Sequence, residues 1–303
     1  MLEIDLCNLR LKNPTILASG ILGMSRELLQ RVSDSGAGAA TIKSITLNPR
    51  EGHHNPTIIG FEAGLMNAVG YSNAGIEEAK KEFADLSAIP IPIIASIVAE
   101  NAGEFAQLAG EIDSMKQFSA IELPLSCPHT PGFGLLAGQG TPEATGEITK
   151  AVREKTKLPI FVKLSPNVPG IGAIAGAAEK AGASAITAVN TLGPGMLIDI
   201  NSRKPVLDFK CGGISGPALR PVAVRCVYDV YESVKIPIIG VGGILTGRDA
   251  IEMILAGATA IGIGSGIYYR GMNVFAQVCR EMEMWMKKNK VKNLDEIRGQ
   301  AHA

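Results

Sequence analysis

Short apolar runs rich in β-branched residues recur along the chain, each ending in Gly, Ser, Asn or Pro. They read as strands at TILASG (15–20), AATIKSI (39–45), IPIIASIV (91–98), AIELPLS (120–126), PIFVKLSP (159–166), AITAVN (185–190), IPIIGVGGI (236–244) and AIGIGSG (260–266). The runs are continuous, not alternating, as in strands covered on both faces. Helical patterns lie between them at 26–36, 102–113, 143–156, 171–182 and 247–258. Several end in the AG or SG of a glycine C-cap directly before the next strand. Eight strands alternating with helices predict a closed parallel (β/α)8 TIM barrel. A doubly wound open sheet built from the same elements stays open as an alternative.

The connections are uneven. Residues 46–90 and 191–235, after strands two and six, are far longer than one crossover helix needs and are rich in Gly, Asn and Pro. Both leave the C-terminal ends of strands, where barrels of this class keep their active sites. The opening EIDLCNLRLKNP reads as a hairpin plugging the other end. No linker or composition shift divides the chain, so residues 1–303 are expected to form a single domain.

Composition narrows the function classes. With 46% hydrophobic residues a large core is available, and 29 Lys plus Arg balance 29 Asp plus Glu. Such a neutral chain carries no electrostatic footprint for nucleic acid or an anionic membrane, so any basic site is local. The cysteines at 7, 127, 211, 226 and 279 form no CxxC and no zinc-like spacing, which fits a reducing compartment and no metal site. The start lacks a signal-peptide pattern and no apolar run reaches a membrane span. The expected location is the cytoplasm.

Candidate chemistry gathers at the strand ends. GVGG (240–243) and GIGSG (262–266) end the last two strands and lead into helices. Glycines there let backbone N–H groups approach a phosphate, with a helix N-terminus behind them. The bland alternative is a pair of tight strand-to-helix turns. Lys43 and Lys163 sit near the ends of otherwise apolar strands, where a charge needs a partner; an anionic ligand or electron-rich ring would supply one, and a surface or salt-bridged lysine is the bland alternative. Cys127 follows strand four in SCPHT, ahead of the glycine-rich segment PGFGLLAGQG. Its position suits either a base or nucleophile on a movable loop or a structural thiol. Asn67, Asn73 and Asn190-Thr191 belong to the same face and could read an imide-like edge, or simply form loops. His53 and His54 read as solvent-facing.

Together the segments ASGILG, ATIKSI, GLMNAVGYSNAG, LSCPH, FVKLSPN, AVNTLGPGMLID, GGISGPALRP, PIIGVGGI and IGIGSGIYY resemble class 1 dihydroorotate dehydrogenases over nearly the whole chain. GLMNAVGYSNAG, SCPH and GGISGPALRP look most like class 1B, whose catalytic barrel works with a second subunit carrying FAD and a 2Fe–2S cluster and passes electrons to NAD. The resemblance implies one FMN lined by Ser19, Lys43, Ser44, Lys163, Val189, Gly216, Gly242, Gly243, Gly264 and Ser265. It implies dihydroorotate, and its product orotate, held by Lys43, Asn67, Ala68, Val69, Gly70, Tyr71, Asn190 and Thr191, with Cys127 removing the C5 proton while FMN takes the C6 hydride. A homodimeric core within a heterotetramer is expected with it. No cysteine cluster or dinucleotide fingerprint lies in this chain, so electrons leave through a partner, a soluble oxidant or oxygen.

Two positions depart from the family pattern. Pro124 stands where the family has Asn three residues before the cysteine, and Ser96 where it has Asn near the end of strand three. Asn101 follows as a candidate replacement for the second, and His129 stands for Asn in SCPH. These departures keep a flavin oxidoreductase acting on another dihydropyrimidine in view. A non-redox barrel lyase or isomerase binding a sugar phosphate, and a flavin binder without turnover, are the readings from other classes.

Overall fold

The computed structural model describes residues 1–125 and 140–303. Strands β1 (Ile4–Leu6) and β2 (Leu9–Leu11) form the expected antiparallel hairpin. Barrel strands β3 (Thr15–Leu17) and β4 (Ala39–Thr41) follow. The chain then leaves the barrel for β5 (Ile58–Phe61) and β6 (Gly64–Asn67). It returns for β7 (Ile93–Ser96), β8 (Ala120–Pro124), β9 (Ile160–Leu164) and β10 (Ala185–Ala188). A second excursion holds β11 (Leu192–Gly195), β12 (Ile198–Asp199), β13 (Lys204–Pro205) and β14 (Gly212–Ser215), before β15 (Ile238–Val241) and β16 (Ala260–Ile263). The eight barrel strands close in the order β10-β15-β16-β3-β4-β7-β8-β9, all parallel, which removes the open-sheet alternative.

Helices α1 (Arg26–Asp34), α2 (Gly75–Glu82), α3 (Ala102–Met115), α4 (Pro142–Arg153) and α5 (Ile171–Lys180) lie on the outside, followed by α6 (Arg220–Ser233), α7 (Gly247–Leu255), α8 (Gly266–Arg270) and α9 (Val274–Lys288). Local chemistry starts and stops them. Ser25, Asn101, Thr141 and Thr246 cap α1, α3, α4 and α7 by accepting from a backbone N–H three residues on. Gly36, Gly182 and Gly257 end α1, α5 and α7 with positive φ. At each, the next residue's N–H bonds back to a carbonyl five residues earlier: Ala37 to Val32, Ala183 to Ala178, Ala258 to Met253. These are the 6→1 bonds of a Schellman stop, and each delivers the chain to a barrel strand three residues later.

The eight barrel strands contain no exposed residue, so both faces are covered, and Ala120 to Pro124 and Ile160 to Leu164 are buried throughout. The hairpin contributes Leu6 and Leu11 to the core, and the Cys7 thiol donates to the Ser184 carbonyl just before β10. It therefore closes the N-terminal end of the barrel. At the opposite end the two long insertions meet. Strands β5 and β6 from the first and β11 and β14 from the second make one antiparallel sheet, ordered β11-β14-β6-β5. The seam is β6 against β14, with Asn67 opposite Gly213 and Leu65 opposite Ser215. Met66, Ala68 and Leu207 form a separate small core there. The insertions thus roof the mouth together. Among the described residues no helix is long and apolar enough to cross a membrane.

Candidate active site

Between barrel mouth and roof lies a cavity of about 320 Å³. It is lined by Ser19, Lys43, Ser44, Lys163, Val189, Gly216, Gly242, Gly243, Gly264 and Ser265 from the barrel side, and by Asn67, Ala68, Val69, Gly70, Tyr71, Asn190 and Thr191 from the insertions and strand ends. Every described residue that the resemblance assigns to cofactor or substrate is therefore brought to one place. Cys127, with His129, lies outside the described residues. The preceding strand β8 ends at Pro124, which itself lines the cavity.

The two lysines stand in different electrostatic settings. Lys163, on β9, is 5% exposed and donates to Ser19 Oγ at 3.0 Å. Its ammonium lies 3.6 Å from Glu122 Oε1, and Ser19 donates to the same oxygen at 2.7 Å. Lys43, just past β4, forms no ion pair among the described residues, and burial holds its ammonium below the usual lysine range. One cation is matched by a buried carboxylate; the other faces the cavity unmatched.

The glycine turns divide in the same way. Gly243 has φ +68, and a Cβ there would approach the Gly216 carbonyl to 2.6 Å. Gly242 is likewise hemmed in by Ala223 and Leu219. Protein packing alone demands glycine at both. At Gly264 a Cβ would meet only Ala18 at 3.6 Å, and at Gly20 nothing within 4 Å. Both leave open space beside the cavity; at Gly20 the φ of +92 itself calls for glycine, whereas at Gly264 neither packing nor backbone does, which suits a cradle for a ligand. The helix after the strand-seven turn differs from expectation. The N-terminus of α7 is occupied by its own Thr246–Asp249 capping box, with Asp249 accepting from Leu245 and Thr246 N–H and pairing with Arg220. An anion at this turn meets the Gly242–Gly243 backbone and not that helix end.

The loop 67–71 is held from below. Gly70 and Tyr71 both adopt left-handed backbone, φ +73 and +56, which is unfavourable for tyrosine by about 1 kcal/mol. Asn73 supports it: its amide nitrogen donates to the Tyr71 carbonyl at 2.7 Å, and its oxygen accepts from Gly75 N–H at 2.9 Å. Asn73 is thus a loop former and does not line the cavity. His53 corrects the expectation of a solvent-facing residue. It lines the cavity, stacks on Phe209 with centroids 3.9 Å apart and places Nδ1 3.1 Å from the Ala68 carbonyl. Its partner in sequence, His54, is exposed as expected.

The departures from the family pattern also find their places. Ser96 is fully buried and its hydroxyl lies 2.9 Å from that of Ser44. Asn101 does not replace it, because its side chain caps α3 at the surface. Glu122 and Asn167 were not singled out in the sequence. Asn167 accepts from Gly193 N–H and donates to the Thr191 carbonyl, so FVKLSPN fixes the strand-six loop. A lone acid inside the apolar run AIELPLS was the available signal for Glu122.

Fold and site define a TIM barrel with one roofed, cationic, glycine-cradled cavity at its C-terminal mouth. The comparisons with known proteins give the family. The family model described as dihydroorotate dehydrogenase matches residues 1–286. A relative from Methanothermobacter thermautotrophicus, the dihydroorotate dehydrogenase B (NAD(+)) catalytic subunit, is 46% identical over all of this chain and 99% of its own. The proteins of the same description from Methanocaldococcus jannaschii and Pyrococcus abyssi are each 44% identical, over 100% and 99% of this chain and 98% and 99% of their own. A DHODH from Eimeria tenella, solved with ferulenol, superposes with a TM-score of 0.84 at 21% identity, covering 99% of this chain and 88% of that one, which speaks to the fold. The chain belongs to the dihydroorotate dehydrogenase family, a family of flavin-dependent oxidoreductases. The open space at Gly20 and Gly264 and the cationic wall fit such a group.

Proposed function

We propose that this chain is the cytoplasmic catalytic subunit that oxidises dihydroorotate to orotate in pyrimidine biosynthesis, with residues 1–303 acting as one FMN-binding domain. The observation that carries the reading is the convergence of Lys43, Lys163 and both glycine turns on one cavity beneath the 67–71 loop. Gly242, Gly243, Gly264 and Ser265 would hold the FMN phosphate through backbone N–H groups, and Ser19, Ser44, Lys163, Val189 and Gly216 would line the rest of that cofactor. When bound, FMN supplies acceptance of the hydride from C6 of the substrate.

The chain's own residues bind, orient and move a proton. Lys43 would meet the substrate's negative charge, since it is the cation with no matching carboxylate among the described residues. Asn67, Asn190 and Thr191 offer donors and acceptors for the ring, and the Ala68 to Tyr71 backbone would close over the carboxylate. Cys127 would take the C5 proton as thiolate, so that the C5–H electron pair forms the new C5=C6 double bond as hydride departs from C6. The roof formed by β5, β6, β11 and β14 limits water access to that chemistry.

Electrons would then leave through a second subunit carrying FAD and a 2Fe–2S cluster, on to NAD, from a homodimeric core of this chain. The relatives' description as a catalytic subunit with NAD(+) supports a partner. Anaerobic addition of dihydroorotate tests the reading directly. The purified chain should be yellow, carry about one FMN and bleach at saturating dihydroorotate, reducing dyes but not NAD by itself. A colourless protein, or one that stays yellow, overturns it.

A second reading changes only the substrate. Pro124 lines the cavity and offers no side-chain donor, and Ser96 is spent on Ser44, so two amides of the family pattern are absent. Another dihydropyrimidine, such as dihydrouracil, would need fewer donors. Faster bleaching by dihydrouracil than by dihydroorotate would select this reading.

A further inference from the structure

Glu122 is a buried acid that the proposed chemistry leaves without a task, and unlike Asp249 it caps no helix. It sits mid-strand in β8, 4% exposed, and does not line the cavity. Burying a carboxylate in a barrel core is strongly unfavourable unless a cation and hydrogen bonds compensate it. Both are present. Oε1 accepts from Ser19 Oγ at 2.7 Å and lies 3.6 Å from Lys163 Nζ, and Oε2 faces Thr187 Oγ1 at 3.5 Å.

The topology makes this arrangement specific. Strands β8, β9 and β10 are neighbours and supply Glu122, Lys163 and Thr187. Ser19 follows β3, which stands diametrically opposite β9 in the ring of eight. The serine therefore reaches across the barrel to stand between acid and lysine, accepting from one and donating to the other. Ser19 and Lys163 line the cavity, while Glu122 lies one layer beneath it. A hydrophobic residue at 122 would leave the Lys163 ammonium unpaired in the core, so position 122 answers to the lysine above it.

We propose that Glu122 is a positioning residue for the redox step. Through Ser19 it fixes the direction of the Lys163 ammonium and offsets its charge, and so sets how strongly bound flavin favours its reduced form. The proposal rests on the reading that this cavity holds flavin. Lys43 offers the internal contrast: it has no such counter-charge among the described residues and is the cation left for the substrate.

The experiment compares FMN-loaded wild type, Glu122→Gln, Glu122→Asp and the same Gln change in a Lys163→Met background, by spectroelectrochemical titration. Melting of each flavin-free protein is followed alongside. Removing the negative charge leaves Lys163 uncompensated, which favours adding electrons to the flavin. Glu122→Gln should shift the ratio of reduced to oxidised flavin about tenfold toward reduced at a fixed potential, equivalent to about 30 mV for a two-electron couple. In the Lys163→Met background the shift should vanish, because the ammonium through which the acid acts is absent there. If Glu122→Gln melts before it can be titrated, Glu122→Asp carries the test with a smaller shift in the same direction. An unchanged potential in a folded, FMN-loaded Glu122→Gln or Glu122→Asp variant overturns the proposal and leaves the acid a packing residue. Wild type that binds no flavin overturns the underlying reading instead, and this one with it.

Discussion

Gly213 presses its backbone against the Thr191 side chain so closely that a Cβ on the glycine would overlap the threonine hydroxyl. Gly213 belongs to β14 in the roof and sits opposite Asn67, whereas Thr191 follows β10 at the barrel mouth. The contact joins both insertions to the strand ends beneath them. Gly213→Ala should push Thr191 aside, because a β-branched side chain has little rotamer freedom with which to yield. Overpacking of this kind costs about 1–3 kcal/mol. Orotate affinity should fall roughly tenfold or more, since each 1.4 kcal/mol is about one decade. FMN content should hold, because Gly213 touches the substrate side. Flavin-fluorescence titration with orotate measures the first, and absorbance of the purified protein the second.

The two glycine turns should respond differently to added bulk. At Gly243 the positive φ and the nearby Gly216 carbonyl mean that Gly243→Val strains the protein itself. Both the melting temperature of the flavin-free chain and its FMN content should drop. Gly264 faces open cavity, so Gly264→Val should obstruct the ligand alone. Its flavin-free melting temperature should stay near wild type while FMN content falls. Full FMN occupancy in Gly264→Val would remove the cradle from this turn.

These contrasts mark what the chain's pattern discloses. All eight barrel strands are legible because burial on both faces writes each as a continuous apolar run, and the three Schellman glycines advertise where the next strand begins. Helix α9 has the clear spacing Val274, Val278, Met282, Met286 on its buried face, yet it lies past the last strand where no alternation calls for it. Helix α6 hides behind a Gly- and Pro-rich insertion, and α2 buries only Gly75, Ile76 and Ala79, too few for a period. The shared roof is illegible for another reason. The pairing of Asn67 with Gly213 joins residues far apart in sequence, and neither segment alternates strongly enough to fix a register. His53 shows the same limit: its stack on Phe209 depends on that roof. The site residues were legible as types at strand ends, while Glu122 needed the knowledge that its strand faces Lys163 and Ser19.

Lys43 gives the pH prediction. Burial lowers its pKa and no carboxylate among the described residues raises it again. Below its lowered pKa the ammonium is present and attracts an anion. As pH rises through the lowered pKa the charge is lost, so orotate affinity should weaken at a lower pH than an exposed lysine, with a pKa of about 10.4, would allow. Bound orotate favours the charged form, so binding in that window should take up a proton. Calorimetry in two buffers of different ionisation enthalpy reads this uptake. Lys43→Met should abolish the uptake and weaken binding at least tenfold. The flavin-free melting temperature should stay at or above wild type, because the unfolded lysine holds its proton where the buried one gives it up. Proton uptake that persists in Lys43→Met would assign the effect to another group.

Cys127 carries the mechanism, and the other cysteines supply its controls. Burial pushes the thiols of Cys226 and Cys279 up to about 11, so both stay protonated near neutral pH and serve as packing groups. A general base has to do the opposite: it must be thiolate, or become so, when dihydroorotate is bound. Cys127→Ser places a far weaker base at nearly the same position, so binding should survive while proton removal slows. General-base contributions are of order 10²–10⁴-fold, and a loss in that range is expected in the rate of flavin bleaching by dihydroorotate. The residual rate should climb with pH as base strength becomes limiting. Cys226→Ser and Cys279→Ser should bleach close to the wild-type rate. Anaerobic stopped-flow isolates this step from every later electron acceptor, so the comparison does not depend on the partner subunit. If Cys127→Ser bleaches as fast as wild type at saturating substrate, the C5 proton leaves to some other group and the assignment of Cys127 falls.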